Sequence, residues 1–216
     1  MKKPWILFVI IAVIFIAGCL DTTSHSRAVF MLLDTSGTYQ HEIKKAASIV
    51  NYLLGTLTSG DSLSVARIDS ASFSEKDVIA KMTFAPRPSV ANRQKRLFKK
   101  KFDTFVGSSK GSEFTDITGG IIQAMEYVNE TGAGRKYILI FSDLKEELVK
   151  GHIRDFPLDM SGCNVIALNV TKLRTDNIDP REYFKRVEAW RERVEQGGGS
   201  WKVLNDLERL DLILGK

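Results

Sequence analysis

Uninterrupted apolar runs constrain the fold of this 216-residue chain more than any other feature. They lie within Ala28–Leu33, Lys136–Asp143 and Cys163–Val170. Strands that are apolar on both sides occur where helices cover both faces of a parallel sheet. Segments with helical periodicity separate these runs. The order of elements therefore predicts an α/β fold, with a doubly wound, Rossmann-like, mostly parallel sheet flanked by helices.

The remaining elements follow from periodicity and turn residues. Helices are predicted at 40–57, 89–106, 116–134, 179–199 and 205–214, strands at 63–68 and 200–204, and an edge strand at 76–84. The second of these helices is strongly basic. Leu97, Phe98, Phe102 and Phe105 are predicted to form its packed side, which leaves its basic residues facing solvent. Contact of these basic residues with anionic lipid is the alternative.

The amino terminus has the order of a secretory signal. Lys2 and Lys3 form a positive segment, Trp5–Ile16 is almost wholly apolar, and two small residues precede Cys19. The sequence "IAGC" resembles a bacterial lipobox, in which the cysteine thiol receives a diacylglycerol. The alternative is an uncleaved anchor, because the apolar run is only slightly shorter than a spanning helix.

The lipobox resemblance implies three parts. Two of them are a signal peptide at 1–18 and a lipidated cysteine with its tether at 19–26, and the remaining residues, 27–216, are enough for one domain. The implied location is the bacterial cell envelope, with the protein anchored in a membrane and facing the periplasm or the exterior. The sequence leaves the choice of membrane open.

Charge and composition argue against several classes of function. The 31 basic and 26 acidic residues give a net charge of +5, which is too mild to predict a nucleic-acid partner. The three histidines are scattered, and no nucleophile elbow is present. We therefore expect a protein that is not an enzyme. Cys163 opens an apolar run and is predicted to be an inert core residue.

Polar residues follow two of the apolar runs directly. Asp34, Ser36 and Thr38 alternate after the first run, and Asp143 ends the second. Ligands in doubly wound folds bind beyond the carboxyl ends of the strands. Thr115 precedes a predicted helix, and its loop could join the same edge. Carboxylates and hydroxyls are hard oxygen ligands that suit Mg²⁺.

This pattern resembles a von Willebrand factor type A domain with a metal-ion-dependent adhesion site. That family has D-x-S-x-S, a distant threonine and a distant aspartate after an apolar strand. These positions correspond here to Asp34, Ser36, Thr38, Thr115 and Asp143. The resemblance implies that the five residues hold Mg²⁺, with Mn²⁺ or Ca²⁺ as alternatives. It also implies a protein partner whose acidic side chain completes the coordination, in envelope adhesion or complex assembly.

Two positions depart from the family pattern. Thr38 replaces the usual serine and keeps a hydroxyl, whereas Leu144 stands where a glycine commonly follows the last aspartate. Asp116 is predicted to cap the following helix or to support the ligands instead of binding the cation.

Three other interpretations stay open. Ser36 and Thr38 could serve only to cap a helix. The loop "DTSGT" has the spacing of the D-K-T-G-T loop of cation-pumping ATPases, which would make Asp34 a phosphorylated residue. However, Thr35 occupies the lysine position, and no paired-aspartate loop follows. In the third interpretation the site is degenerate, and the domain is a metal-free scaffold.

Overall fold

The computed structural model describes residues 24–37, 39–69, 74–109 and 111–214. Its strands are β1 (Arg27–Asp34), β2 (Ser62–Ile68), β3 (Val78–Thr83), β4 (Arg135–Phe141), β5 (Cys163–Leu168) and β6 (Ser200–Leu204). Its α-helices are α1 (Ile43–Thr56), α2 (Pro88–Ser108), α3 (Ile117–Glu130) and α4 (Arg181–Gln196). Short 3₁₀ turns are found at Gln40–Glu42, Glu75–Asp77, Thr175–Asn177 and Leu207–Leu212. The predicted signal peptide, Cys19 and Thr38 lie outside the described residues.

The six strands form one sheet in the order β3-β2-β1-β4-β5-β6. All neighbouring pairs are parallel except β2 and β3, so β3 is an antiparallel edge strand. The predicted fold class is confirmed. The chain leaves β1 towards β2 on one side and later returns to place β4 on the other side. The carboxyl ends of β1 and β4 therefore form the topological switch point, where doubly wound folds bind ligands.

Two apolar cores cover the two faces of the sheet. On one face, β1 and its neighbours pack against α1 and α2, with Leu53, Phe98 and Phe102 fully or almost fully buried. On the other face they pack against α3 and α4, with Ile121 and Val194 fully buried. This arrangement explains why β1 and β4 are apolar on both sides.

Some local predictions were wrong. Leu97 was expected on the packed side of α2, but it is 51% exposed, because the core side of that helix is formed mainly by Phe98 and Phe102. The carboxyl-terminal helix predicted at 205–214 is a 3₁₀ turn, which Asp206 caps by accepting a hydrogen bond from the Glu208 amide. The stretch 144–162 contains no regular helix or strand.

Cys163 lies in β5 and is almost fully buried, as predicted. Burial raises the pKa of its thiol to about 12, so the unreactive protonated form prevails at neutral pH. Across the described ranges, no helix has both the length and the apolar character needed to span a bilayer.

Candidate metal centre

Two buried aspartates stand side by side at the switch point. Asp34 is the last residue of β1, and Asp143 follows β4 by two residues. Leu33 pairs with Phe141 in the register of the two strands, so the chain leaves both at the same edge. Ser142 joins the two strand ends, because its hydroxyl donates a hydrogen bond of 2.6 Å to Oδ2 of Asp34. Sequence alone placed both acids at this edge, and the structure brings them together.

Asp34 is held in a turn and removed from solvent. Its side chain is 1% exposed, and its Oδ1 accepts a hydrogen bond of 2.8 Å from the Ser36 amide. Burial raises the pKa of Asp34, since a buried carboxylate loses hydration, and the charge of Glu147 adds to the effect. Hydrogen bonds from Ser142 and Ser36 oppose this rise. The ionised carboxylate is thus costly here unless a positive charge is close.

Asp143, after the neighbouring strand β4, is also buried and also has a raised pKa. It is 4% exposed, and its Oδ1 accepts a hydrogen bond of 2.9 Å from the Lys145 amide. Burial is the main cause that raises its pKa to about 6, and the charge of Asp34 contributes. Arg186 and Lys145 act in the opposite direction. The effect of the Asp34 charge on Asp143 indicates that the two carboxylates lie close together.

The backbone after Asp143 takes the conformation that glycine adopts most easily. Leu144 has φ of 66°, in the left-handed region, which is strained for a branched side chain. Two hydrogen bonds hold it there: its amide donates to Oγ of Ser142, and its carbonyl accepts from Nε1 of Trp190, both at 3.0 Å. Its side chain is buried in the core that faces α4. The loop therefore keeps a glycine-like backbone despite the leucine.

Backbone pairing brings the Thr115 loop to this edge. Ser36 and Ser112 form an isolated parallel bridge, in which the Gly37 amide donates to the Ser112 carbonyl at 3.0 Å. Thr115 pairs with Glu147 on the other side through two backbone hydrogen bonds, of 2.8 and 2.9 Å. The loop thus lies between the chain segments that follow β1 and β4.

Four of the five predicted ligands therefore lie at one edge of the sheet. We call them the strand-end cluster: Asp34, Ser36, Thr115 and Asp143. All four are buried. The fifth predicted ligand, Thr38, is outside the described residues.

Asp116 has a structural role next to the cluster. It caps α3, as its Oδ1 accepts a hydrogen bond of 2.7 Å from the Gly119 amide. Its Oδ2 accepts a hydrogen bond of 2.8 Å from Arg154, which forms a largely buried ion pair. Arg193 in turn donates to the Arg154 carbonyl at 2.9 Å. This capping was predicted from sequence, whereas the ion pair with the irregular stretch 144–162 was not.

Other residues around the cluster were not predicted. Arg186 donates to the Asp143 carbonyl at 2.8 Å and pairs with the buried Asp176, so α4 fixes this loop. The Tyr39 ring packs against Phe141, and its hydroxyl donates to the Asn169 carbonyl at 2.6 Å. Burial raises the pKa of Tyr39, and the charge of Asp34 adds to that rise. Only the position of Ser142, directly before Asp143 in "FSD", could have been noticed in the sequence.

The donor set suits a hard divalent cation. Two carboxylates and two hydroxyls provide oxygen only, which is the chemistry of Mg²⁺ and Mn²⁺ sites. The raised pKa values of both aspartates show that the edge favours a proton or a cation over two free negative charges. No group of three or more His, Cys, Asp and Glu side chains in the described ranges is arranged to hold a metal. The fit thus depends on hydroxyl ligands as much as on carboxylates.

Comparison of the sequence finds neither a matching family model nor a matching curated protein. Comparison of the fold finds several similar solved structures. The pilus adhesin SpaC from Lactobacillus rhamnosus GG, in an open conformation, has a TM-score of 0.53 at 11% identity, over 90% of this chain and 29% of that chain. The PilB minor pilin from Streptococcus sanguinis has a TM-score of 0.52 at 12% identity, over 88% of this chain and 59% of that chain.

A third similar structure is a von Willebrand factor type A protein from Catenulispora acidiphila. Its TM-score is 0.51 at 14% identity, over 87% of this chain and 40% of that chain. The present chain thus corresponds to between 29% and 59% of the length of these three proteins. Likeness at such low identity shows the fold alone, and that fold is von Willebrand factor type A-like.

Proposed function

We propose that this protein is an envelope lipoprotein that binds a protein partner through a divalent cation. In this proposal Asp34, Ser36, Thr38, Thr115 and Asp143 hold the cation, and Mg²⁺ is the expected ion. One observation carries the proposal more than any other. Two buried aspartates with raised pKa values lie at the switch point of a von Willebrand factor type A-like fold, joined through Ser142.

The chain's own residues prepare this edge for binding. Asp34 and Asp143 contribute the negative charges, and Ser36 and Thr115 contribute neutral hydroxyls. Hydrogen bonds from Ser142 and from the Lys145 amide hold one oxygen of each carboxylate, so the acids are oriented without a ligand. A bound cation would supply an electrophilic position for a carboxylate of the partner. We propose binding and no catalytic step at this site.

The fold also separates the proposed anchor from the proposed site. β1 begins at Arg27 and ends at Asp34, and its eight residues span roughly 26 Å at the rise of a strand. A lipid on Cys19 would hold the chain near the amino end of β1. The strand-end cluster lies at the opposite end, so it would point away from the membrane, towards the periplasm or the exterior.

Capture of a partner from membranes tests this function. The full-length protein in detergent is immobilised, and membrane proteins from the source cells are applied with Mg²⁺ or with a chelator. We expect a partner that is retained with Mg²⁺ and released by the chelator, and that Asp34→Ala fails to capture. Asp103→Ala is the matched control, because this aspartate is exposed on α2 and, among the described residues, forms an ion pair with Lys99 alone.

Equal retention after chelation and by Asp34→Ala would contradict the proposal. It would favour a metal-free scaffold, which binds its partner through another surface.

A further inference from the structure

A small cleft separates α3 from the edge of the sheet, on the face away from α1 and α2. Its volume is about 190 Å³. Phe30 and Ser64, which pair in the register of β1 and β2, form its floor. One face of α3 forms its wall through Gln123 and Tyr127, one turn apart. We call this volume the α3 cleft.

Three buried polar atoms lining the α3 cleft have no hydrogen-bond partner within the described residues. They are Oγ of Ser64, Oε1 of Gln123 and the hydroxyl of Tyr127. Ser64 is 0% exposed, so solvent at the surface does not reach it. Each buried polar group left unpaired costs about 1–3 kcal/mol. Three such groups around one cavity are unusual in a folded domain and indicate a polar occupant.

Packing fixes the tyrosine in this position. The rings of Tyr127 and Phe30 meet edge to face, with 5.5 Å between their centroids. The nearby Ser62 hydroxyl forms its own hydrogen bond of 2.8 Å with Thr83. Burial raises the pKa of Tyr127 to about 12 and the nearby Ser62 side chain opposes this rise, so the Tyr127 hydroxyl stays neutral and can both donate and accept. The Tyr127 hydroxyl is thus a fixed, neutral group at the cleft.

Negative charge surrounds the mouth of the α3 cleft. Glu126 and Glu130 line it from α3, are exposed, and form no ion pair within the described ranges. Glu75 and Lys81 also line it but neutralise each other at 2.6 Å. The mouth therefore carries two uncompensated negative charges, which repel anions and attract cations.

We infer that the α3 cleft binds a small organic cation with N–H donors, such as a primary ammonium or guanidinium group on a short chain. The oxygens of Ser64, Gln123 and Tyr127 accept its hydrogen bonds, and Glu126 and Glu130 select its charge. At about 30 Å³ for each water-sized group, the volume admits roughly six heavy atoms. This matches n-butylammonium.

Calorimetry with four probes tests this inference. The full-length protein in detergent, with a chelator present so that the strand-end cluster binds no cation, is titrated with n-butylammonium and with guanidinium. The controls are 1-butanol, which has the shape without the charge, and tetramethylammonium, which has the charge without N–H donors. We expect saturable binding of the first two, and binding at least tenfold weaker for both controls.

Variants then locate the binding. Tyr127→Phe and the double variant Glu126→Gln with Glu130→Gln should each weaken the binding of n-butylammonium at least tenfold. Tyr52→Phe on α1 and Glu192→Gln on α4 are matched controls outside the cleft. They should change the affinity for n-butylammonium less than twofold. Since the Tyr127 hydroxyl has no partner in the described chain, Tyr127→Phe should melt close to the parent without amine.

Three results would overturn the inference. One is no binding of either N–H cation, which would mean that ordered water alone fills the α3 cleft. The second is equal binding of 1-butanol. The third is undiminished binding by Tyr127→Phe and by the double glutamine variant. None of these results depends on Mg²⁺ or on a protein partner, so they leave the proposed function untouched.

Discussion

The strand-end cluster and the α3 cleft are both buried and polar, yet their hydrogen bonding is opposite. In the cluster, oxygens of Asp34 and Asp143 already accept hydrogen bonds from Ser36, Ser142 and Lys145. In the cleft, three polar atoms have no partner within the described residues. The cluster is thus organised before a ligand arrives and lacks only positive charge, whereas the cleft lacks hydrogen-bond partners. Helix α3 contacts both, since it starts at the cluster and lines the cleft about two turns later.

The largest effect on cation binding is expected for Asp143→Asn, which keeps the shape of the side chain and removes its charge. An asparagine oxygen can still accept from the Lys145 amide, so the apo fold should not suffer. Loss of one of the two carboxylates should weaken Mg²⁺ binding at least a hundredfold, which corresponds to about 2.7 kcal/mol. Thermal melting with and without Mg²⁺ measures this, since a ligand that binds only the folded state stabilises it by RT ln(1 + [L]/Kd). An unchanged Mg²⁺ response would show that the cluster is not the cation site.

Variants of Leu144 compare the stabilisation from its buried side chain with the strain of its positive φ. Leu144→Ala removes a buried side chain and should cost about 2–4 kcal/mol of unfolding free energy. Leu144→Gly removes the same side chain but relaxes the positive φ, which is worth about 1–2 kcal/mol. We therefore expect the glycine variant to be the more stable of the two in chemical denaturation, against the usual order. An alanine variant of higher stability would contradict the strain at this position.

A pair of serines compares the two regions directly. Ser142 and Ser64 are both 0% exposed, but within the described residues only the Ser142 hydroxyl has hydrogen bonds, to Asp34 and from Leu144. Ser142→Ala should cost about 1–3 kcal/mol, whereas Ser64→Ala should change stability by less than about 1 kcal/mol. Urea unfolding of both variants in the presence of a chelator gives the two values. Equal losses would mean that Ser64 has a bonded partner after all.

Gly120 tests whether α3 couples the two regions. A Cβ at this position would lie 2.6 Å from Cγ2 of Ile68 and 2.9 Å from Cδ2 of Leu32, so Gly120→Ala should push α3 off the sheet and cost about 1–3 kcal/mol. Gly55→Ala on α1 is the matched control. It meets nothing within 4 Å and should stabilise by about 0.5–1 kcal/mol, as alanine does in helices. Denaturation of both variants checks this; a neutral Gly120→Ala would show that α3 has room to move.

Stability is also expected to depend on pH. The pKa of Asp143 rises from 3.8 in the unfolded chain to about 6 in the fold, so the folded chain binds the extra proton between these values. Without a cation, stability should therefore fall by about 1–2 kcal/mol as pH rises from 4.5 to 7. Mg²⁺ should offset this loss at pH 7 and do little at pH 4.5, where protons compete for the carboxylates. Melting curves across this range with chelator and with Mg²⁺ measure both effects.

Sequence patterns predicted the sheet and the positions of Asp34 and Asp143 in the cluster for physical reasons. The apolar runs that end at Leu33 and Phe141 must be buried on both sides, so the acids that follow them had to lie at one edge. The positions of Glu147 and Arg154 near the cluster could not be predicted in this way, because the irregular stretch 144–162 has no periodic pattern.

The α3 cleft also lay beyond sequence patterns. Ser64 occupies an ordinary position in a strand, and Gln123 and Tyr127 occupy ordinary positions in a helix. Their shared cavity depends on how α3 crosses β1 and β2, which is a tertiary feature.

Calorimetric titration measures directly whether the strand-end cluster holds a divalent cation. Mg²⁺ and then Mn²⁺ are titrated into the full-length protein in detergent at pH 7.5, and into Asp34→Asn and Asp103→Asn. We expect one saturable site in the parent and in Asp103→Asn, and loss of that site in Asp34→Asn. No saturable heat in the parent, or undiminished binding by Asp34→Asn, would contradict it.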